Sequence, residues 1–166
     1  MLVAGWWALD AGSARELFTA LRNVAWDWTP AEVPAVVERL GWRLVEELPE
    51  KGALASTPFA AARDDVTILY RDDRVRIVRI GATSRGGLPV DAQTAQLADE
   101  EYDRLVAVGR ELLDAPVLRI DGEERFAHWR GERDTITVAQ GTATVFVEWA
   151  PNEFEPEWLK SGTIVG

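Results

Sequence analysis

Residues 29–41 read as a short helix with defined ends and one apolar face. Thr29 is an N-cap residue, Pro30 suits the first helical position, and Glu32 completes a capping box three residues after the cap. Val33, Val36, Val37 and Leu40 recur at i, i+3, i+4 and i+7, the spacing of one buried helical face. Pro34 falls early, where a lost backbone donor costs least, and pulls the start of the regular helix toward residue 33. Gly41 is placed to end the helix in the left-handed conformation. Trp26, Trp28 and Trp42 bracket the helix, so large aromatic rings can pin both ends. The rest of the domain is expected to build against this face.

A chain of 166 residues, 47% of them hydrophobic, supplies one core, and we expect a single domain over residues 1–166. Without cysteine there is no disulfide, thiolate metal site or cysteine nucleophile. No apolar run approaches the ~20 residues of a membrane span. The N-terminal Met-Leu-Val-Ala-Gly-Trp-Trp lacks the basic start of a secretory signal, so the expected location is the cytoplasm and no membrane partner is expected. The net charge of −10 repels phosphate backbones, which argues against nucleic acid and for steering toward basic partners. Solubility alone is an equal explanation of that acidity.

Ser13-Ala14-Arg15-Glu16 is a second capping box, and Ala14, Leu17, Phe18, Leu21 and Ala25 continue it as an amphipathic helix. After Gly41 the pattern becomes β. Residues 42–48 alternate, 49–52 form a turn, and 52–59 are a weaker strand rich in alanine and serine. Residues 66–70 and 75–80 are strong strands joined tightly through Asp72-Asp73-Arg74; Ile77 and Val78 point to opposite faces, which makes the second strand central. Residues 83–89 form a glycine-rich loop. A helix ends near Asp114 with Ala98, Tyr102, Leu105, Val106, Gly109, Leu112 and Leu113 on one face. Gly109 there implies close approach of the helix to a sheet; Asp99, Glu100, Asp103 and Glu111 read as its solvated side. Residues 125–130, 135–139 and 142–149 form a closing meander, and a helical turn can begin at Pro156. The order is two helices, three or four strands, one helix and three strands: an α+β fold with helices against a mostly antiparallel sheet. This arrangement is similar to that of bacterial secretion chaperones.

The sequence carries no assembled chemistry. His128 is the only histidine, no nucleophile-elbow motif accompanies it, and a structural role is expected. One histidine cannot supply a zinc site. Asp64-Asp65, Asp72-Asp73 and Asp121-Gly122-Glu123-Glu124 do not follow the calcium-loop pattern. Gly86-Gly87 belongs to neither a dinucleotide nor a phosphate loop. No catalytic residue, cofactor or metal is therefore assigned. The eight tryptophans stand out instead. Trp42 and Trp149 read as core anchors. The stretch from Trp149 to Trp158 mixes aromatic and acidic residues, and yields candidate partner contacts: Phe154 and Trp158 as anchors, Glu153, Glu155 and Glu157 for steering, with Phe146 on the outward side of its strand.

Trp26-Asp27-Trp28-Thr29 with Val33-Pro34 and Gly41-Trp42, His128-Trp129-Arg130-Gly131, and Pro151-Asn152-Glu153-Phe154 together resemble an uncharacterised family of small acidic, Trp-rich proteins from high-GC bacteria. Such families look like immunity proteins, which neutralise toxins made by the same cell. The resemblance implies a non-enzymatic cytoplasmic protein that occludes a protein partner, a basic toxin. A secretion chaperone holding an exported protein is the alternative, and a small carboxylate-based enzyme the third reading.

Overall fold

The computed structural model describes residues 5–59, 65–84 and 90–154. Helix α1 (Ala11–Asn23) is followed by a 3-10 turn (Pro30–Glu32) that runs into α2 (Val33–Arg39). Four strands come next: β1 (Arg43–Leu48), β2 (Gly52–Ser56), β3 (Val66–Arg71) and β4 (Arg74–Gly81). Helix α3 (Ala92–Leu113) leads into a second set of four: β5 (Val117–Asp121), β6 (Glu124–Arg130), β7 (Asp134–Gln140) and β8 (Val145–Pro151). All eight form one antiparallel sheet, in the order β1-β2-β3-β4-β8-β7-β6-β5. The fold is α+β.

Two neighbouring rows across the sheet show what separates its faces. Leu118, Ala127, Val138, Val147, Ile80, Val66, Ala55 and Leu44 face one another strand by strand. From Ala127 to Ala55 these are buried to 2% exposure or less. One residue along, the row reads Val117, His128, Thr137, Glu148, Arg79, Thr67, Leu54 and Glu46. The pleat sends successive side chains to opposite faces, so one row meets the helices and the other looks away. On the helix side Phe18 of α1 packs against Trp129 of β6, with ring centroids 6.2 Å apart. Val33, Val36 and Val37 of α2 enclose a small void with Ile68, Val78 and Trp149.

Several expectations from the sequence hold. Strand β4 is interior, between β3 and β8. Val33, Val36, Val37, Trp26, Trp28 and Trp42 are buried, and Gly41 takes φ +76°. Regular helix begins at Val33, as Pro34 implied. The details of the caps differ. Thr29 makes no capping bond; instead its hydroxyl donates to Glu32 (2.8 Å), whose carboxylate also accepts from the Asp27 N–H (3.2 Å). Leu40 is half-buried rather than buried. Helix α1 starts two residues before Ser13, because Asp10 is the cap and accepts from the Ser13 N–H at 2.8 Å. It ends before Ala25, which is exposed.

The largest correction is β5, which makes the second meander four strands rather than three. Val-Leu-Arg-Ile-Asp alternates too little to announce a strand, and its pairing with β6 supplies what the local pattern lacks. Leu112 is 41% exposed; the stripe on α3 ends at Gly109 and half-buried Leu113. The suggested turn at Pro156 and most of the 83–89 loop lie outside the described residues.

Gly109 does bring α3 against the sheet. A β-carbon at this position would stand 2.4 Å from the Trp129 ring, well inside contact distance. The indole is fixed by its own N–H, which donates to the Asp114 carbonyl at 2.8 Å, so it cannot swing away freely. Gly109→Ala gains helix propensity but must push α3 off the sheet, and overpacking costs about 1–3 kcal/mol. We expect a net fall in thermal midpoint. A melt equal to or above the parent's would show that the ring yields.

Candidate functional site

Of the residues singled out from the C-terminal sequence, the described ones, Phe146, Glu153 and Phe154, do not converge. Phe146 lies on β8 on the face turned away from the helices, half-buried, with the Arg79 guanidinium 5.6 Å from its ring centre. Glu153 and Phe154 follow the other end of β8, about 17 Å farther at ~3.3 Å per strand residue. Glu153 accepts from Arg74 Nε at 2.9 Å and also pairs with its Nη2. Arg71 sits 5.9 Å over the Phe154 ring. Glu155, Glu157 and Trp158 lie outside the described residues.

His128 is buried on β6. Its Nδ1 lies 2.9 Å from the Thr137 hydroxyl, and its ring stacks on Phe126 at 5.8 Å. Burial, helped by the nearby Arg119 charge, pushes the imidazole down to about 4, so it is neutral at pH 7.

A cleft forms elsewhere, where the Trp26–Trp28 segment meets the β6–β7 turn. It measures about 360 Å³, and its walls include Arg22, Trp26, Trp28, Gly131, Arg133 and Asp134. A second opening of about 480 Å³ shares Trp26, Trp28 and Arg133 with it and adds Asp27, Arg74 and Glu153. Trp26, Trp28 and Trp149 form one aromatic cluster, with centroid separations of 4.5, 5.7 and 4.7 Å. Trp28 adopts φ +58°, a left-handed conformation that costs a bulky residue about 1–3 kcal/mol. The stacking and a 2.8 Å bond from the Val75 N–H to its carbonyl hold it there.

The turn opposite is equally constrained. Gly131 N–H donates to the Asp134 carbonyl (2.7 Å), Asn152 Nδ2 to the Gly131 carbonyl (3.0 Å), and Asn152 N–H to the Arg133 carbonyl (2.9 Å). The Arg22 guanidinium lies so close to Gly131 that a β-carbon would be 2.1 Å from its Nη1. Asp134 accepts from the Trp149 indole at 3.1 Å and lies 3.6 Å from Arg22. Burial raises its carboxyl, and the Trp149 bond with the Arg22 and Arg133 charges pulls the other way. Arg133 makes no ion pair or side-chain hydrogen bond among the described residues. The Trp26 indole N–H is buried and finds no acceptor there either.

The sequence reading missed one more ionisable group. Glu101 on α3 is 1% exposed, with Oε1 2.7 Å from Arg104, the Leu9 backbone beside the carboxyl, and no close hydrogen-bond partner for Oε2 among the described residues. Burial drives its carboxyl up to about 8 against the opposing Arg104 charge. It sits beside Leu9 and Asp10 at the start of α1, whereas Asp134 lies beside Arg22 in its last turn. At 1.5 Å per residue the helix holds these two raised carboxyls about 18 Å apart. They cannot share one reaction centre. Among the described residues no group of three His, Asp or Glu side chains could hold a metal, and no helix is long and apolar enough to cross a membrane.

One family model matches the chain over residues 12–151, that of a family of unknown function (DUF6301). No curated protein and no solved structure matches it.

The two buried ionisable groups impose opposite pH dependences. Glu101 rises from 4.5 to about 8 on folding, so its neutral form is favoured in the native state. Its contribution is complete below pH ~4.5 and is lost as pH rises through ~8, at up to ~1.4 kcal/mol per pH unit. His128 falls from 6.5 to about 4, so its contribution is complete above pH ~6.5 and is lost as pH falls through ~4. Urea unfolding across pH 4–9 should give Glu101→Gln a growing advantage over the parent on the alkaline side. His128→Gln should lose least relative to the parent on the acid side. Parallel pH profiles for variant and parent would contradict either assignment.

Proposed function

The chain belongs to that family of unknown function, and we propose that this member is a cytoplasmic, non-enzymatic binding protein of the immunity type, which neutralises a protein toxin by covering it. The observation that carries the reading is the cleft. It gathers tryptophan and arginine, the side chains that dominate protein-binding hot spots, on a backbone fixed by hydrogen bonds. The net charge of −10 suits capture of a basic partner and disfavours nucleic acid. In this reading acidic groups, with Glu153, Glu155 and Glu157 among them, steer the encounter, while Arg133 slows departure. Phe154 and Trp158 are further candidate anchors, and Phe146 contributes only if the partner reaches the helix-free face.

That face supports the second reading, a secretion chaperone. Leu54, Leu69, Ile77, Phe146 and Phe126 lie on the side away from the helices and are at least partly exposed, which suits an extended segment of an exported protein. A carboxylate-based enzyme ranks third, since the two raised carboxyls stand at opposite ends of α1.

Affinity capture from the native cell, with mass spectrometry, separates these readings. Immunity function requires a folded toxin bound one to one and inactivated on binding; recovery of an unfolded exported protein instead would support the chaperone. With the toxin in hand, association should slow as salt rises through ~0.15 M, where screening acts beyond ~8 Å. Arg133→Ala should speed dissociation about tenfold or more with little change in association. Rates indifferent to both salt and Arg133 would place the contact elsewhere.

A further inference from the structure

The cleft combines three features that together select a ligand chemistry. The first is charge. Arg22 pairs with Asp134 at 3.6 Å, and Arg133 adds a second positive charge that also acts on that carboxyl. Arg74 and Glu153 cancel in the adjoining opening, while Asp27 and Glu132 are exposed at the rim. The second is unused donor capacity. Arg133 has no ion pair among the described residues, and the 94%-buried Trp26 leaves its indole N–H without an acceptor. A buried donor left unmade costs about 1–3 kcal/mol and marks a place where an acceptor is missing. The third is the wall itself, which two nearly buried indole rings back rigidly.

An unpaired guanidinium at a cleft backed by two indole rings fits an anion carried on an apolar group. We propose that the cleft binds a side-chain carboxylate that a partner protein presents beside an aromatic or aliphatic residue. This rests on the protein-binding reading above and adds the chemistry of the contact. Arg133 forms the main ion pair, with the planar fork that matches a carboxylate, while Arg22 keeps Asp134 as its counter-charge. The acidic exterior and the cleft then have separate tasks. Long-range charge attracts basic proteins in general, whereas the cleft accepts only one that places an acid at the right point.

The test is a titration of the ¹⁵N-labelled full chain, followed through its tryptophan indole and arginine Nε–H resonances. The probes are acetyl-Phe-Asp-amide against acetyl-Phe-Asn-amide, and benzoate against benzamide and benzylammonium. The expected result is saturable shifts at Trp26 and Arg133 with the Asp peptide, and affinity at least about tenfold weaker for the Asn peptide. Arg133→Gln should abolish that preference and Arg133→Lys should keep part of it, while resonances far from the cleft report an unchanged fold. Equal binding of the Asp and Asn peptides would overturn the proposal, as would tighter binding of benzylammonium than benzoate, or a preference that survives Arg133→Gln. Saturation by benzoate with no response to the Asp peptide would make the ligand a free small acid, and overturn the assignment to a partner's side chain. Toxin capture with no carboxylate preference at the cleft would remove this site and leave the binding function standing. A carboxylate-selective cleft with no protein partner would do the reverse.

Discussion

Trp149 is the residue on which both halves of the molecule depend. It lies on β8 at the seam of the sheet, fully buried, directly opposite Val78 of β4 and Ile136 of β7. Its ring receives Trp26 and Trp28 from the segment that leads into α2, and its indole N–H is taken by Asp134. One side chain thus joins the two groups of strands, seats the entry to α2 and positions the carboxyl that Arg22 faces. The cleft is where this anchoring reaches the surface. Its tryptophans are mostly structural, and its arginines use a shape that core packing has already fixed.

The parts of the fold legible in the sequence were those set by local periodicity or by a single steric demand. The valines of α2 repeat at helical spacing whatever surrounds them, and the hairpin of β3 and β4 needs only two β-rich runs and a two-residue turn. Gly109 was informative because a glycine on an apolar helical stripe has few uses. The cap of α1 was misread because Ser13 and Glu16 match the capping box, whereas Asp10 makes the bond from outside the apparent pattern. Strand β5 depends on β6 for its existence and so leaves a weak local trace.

The site was harder to see for the same reason. Trp26-Asp27-Trp28 and Gly131-Glu132-Arg133-Asp134 are each conspicuous, but about a hundred positions separate them. Only the sheet brings them together, through Asp134 at the start of β7 and Trp149 near the end of β8. Glu101 was hidden in another way. It stands in a run of acids with Asp99 and Glu100, although its position three residues after Ala98 and four before Leu105 puts it on the apolar stripe. Leu9 and Asp10 reach it from the far end of the sequence, and its pair partner Arg104 also donates to the Leu9 carbonyl.

The strand order has a consequence for how the chain must assemble. Each helix-led half ends on the strand that lies innermost in the finished sheet, β4 in one and β8 in the other. A half formed alone would present that last strand as a bare edge, with its backbone donors and acceptors open to other chains. The outer edges are protected differently, since β1 and β5 carry Arg43, Glu46, Glu47, Arg119 and Asp121. Each half is therefore the other's edge cover. The pairing of β4 with β8 spans some seventy residues, the kind of non-local contact that slows folding. During synthesis β4 leaves the ribosome some seventy residues ahead of the strand that covers it.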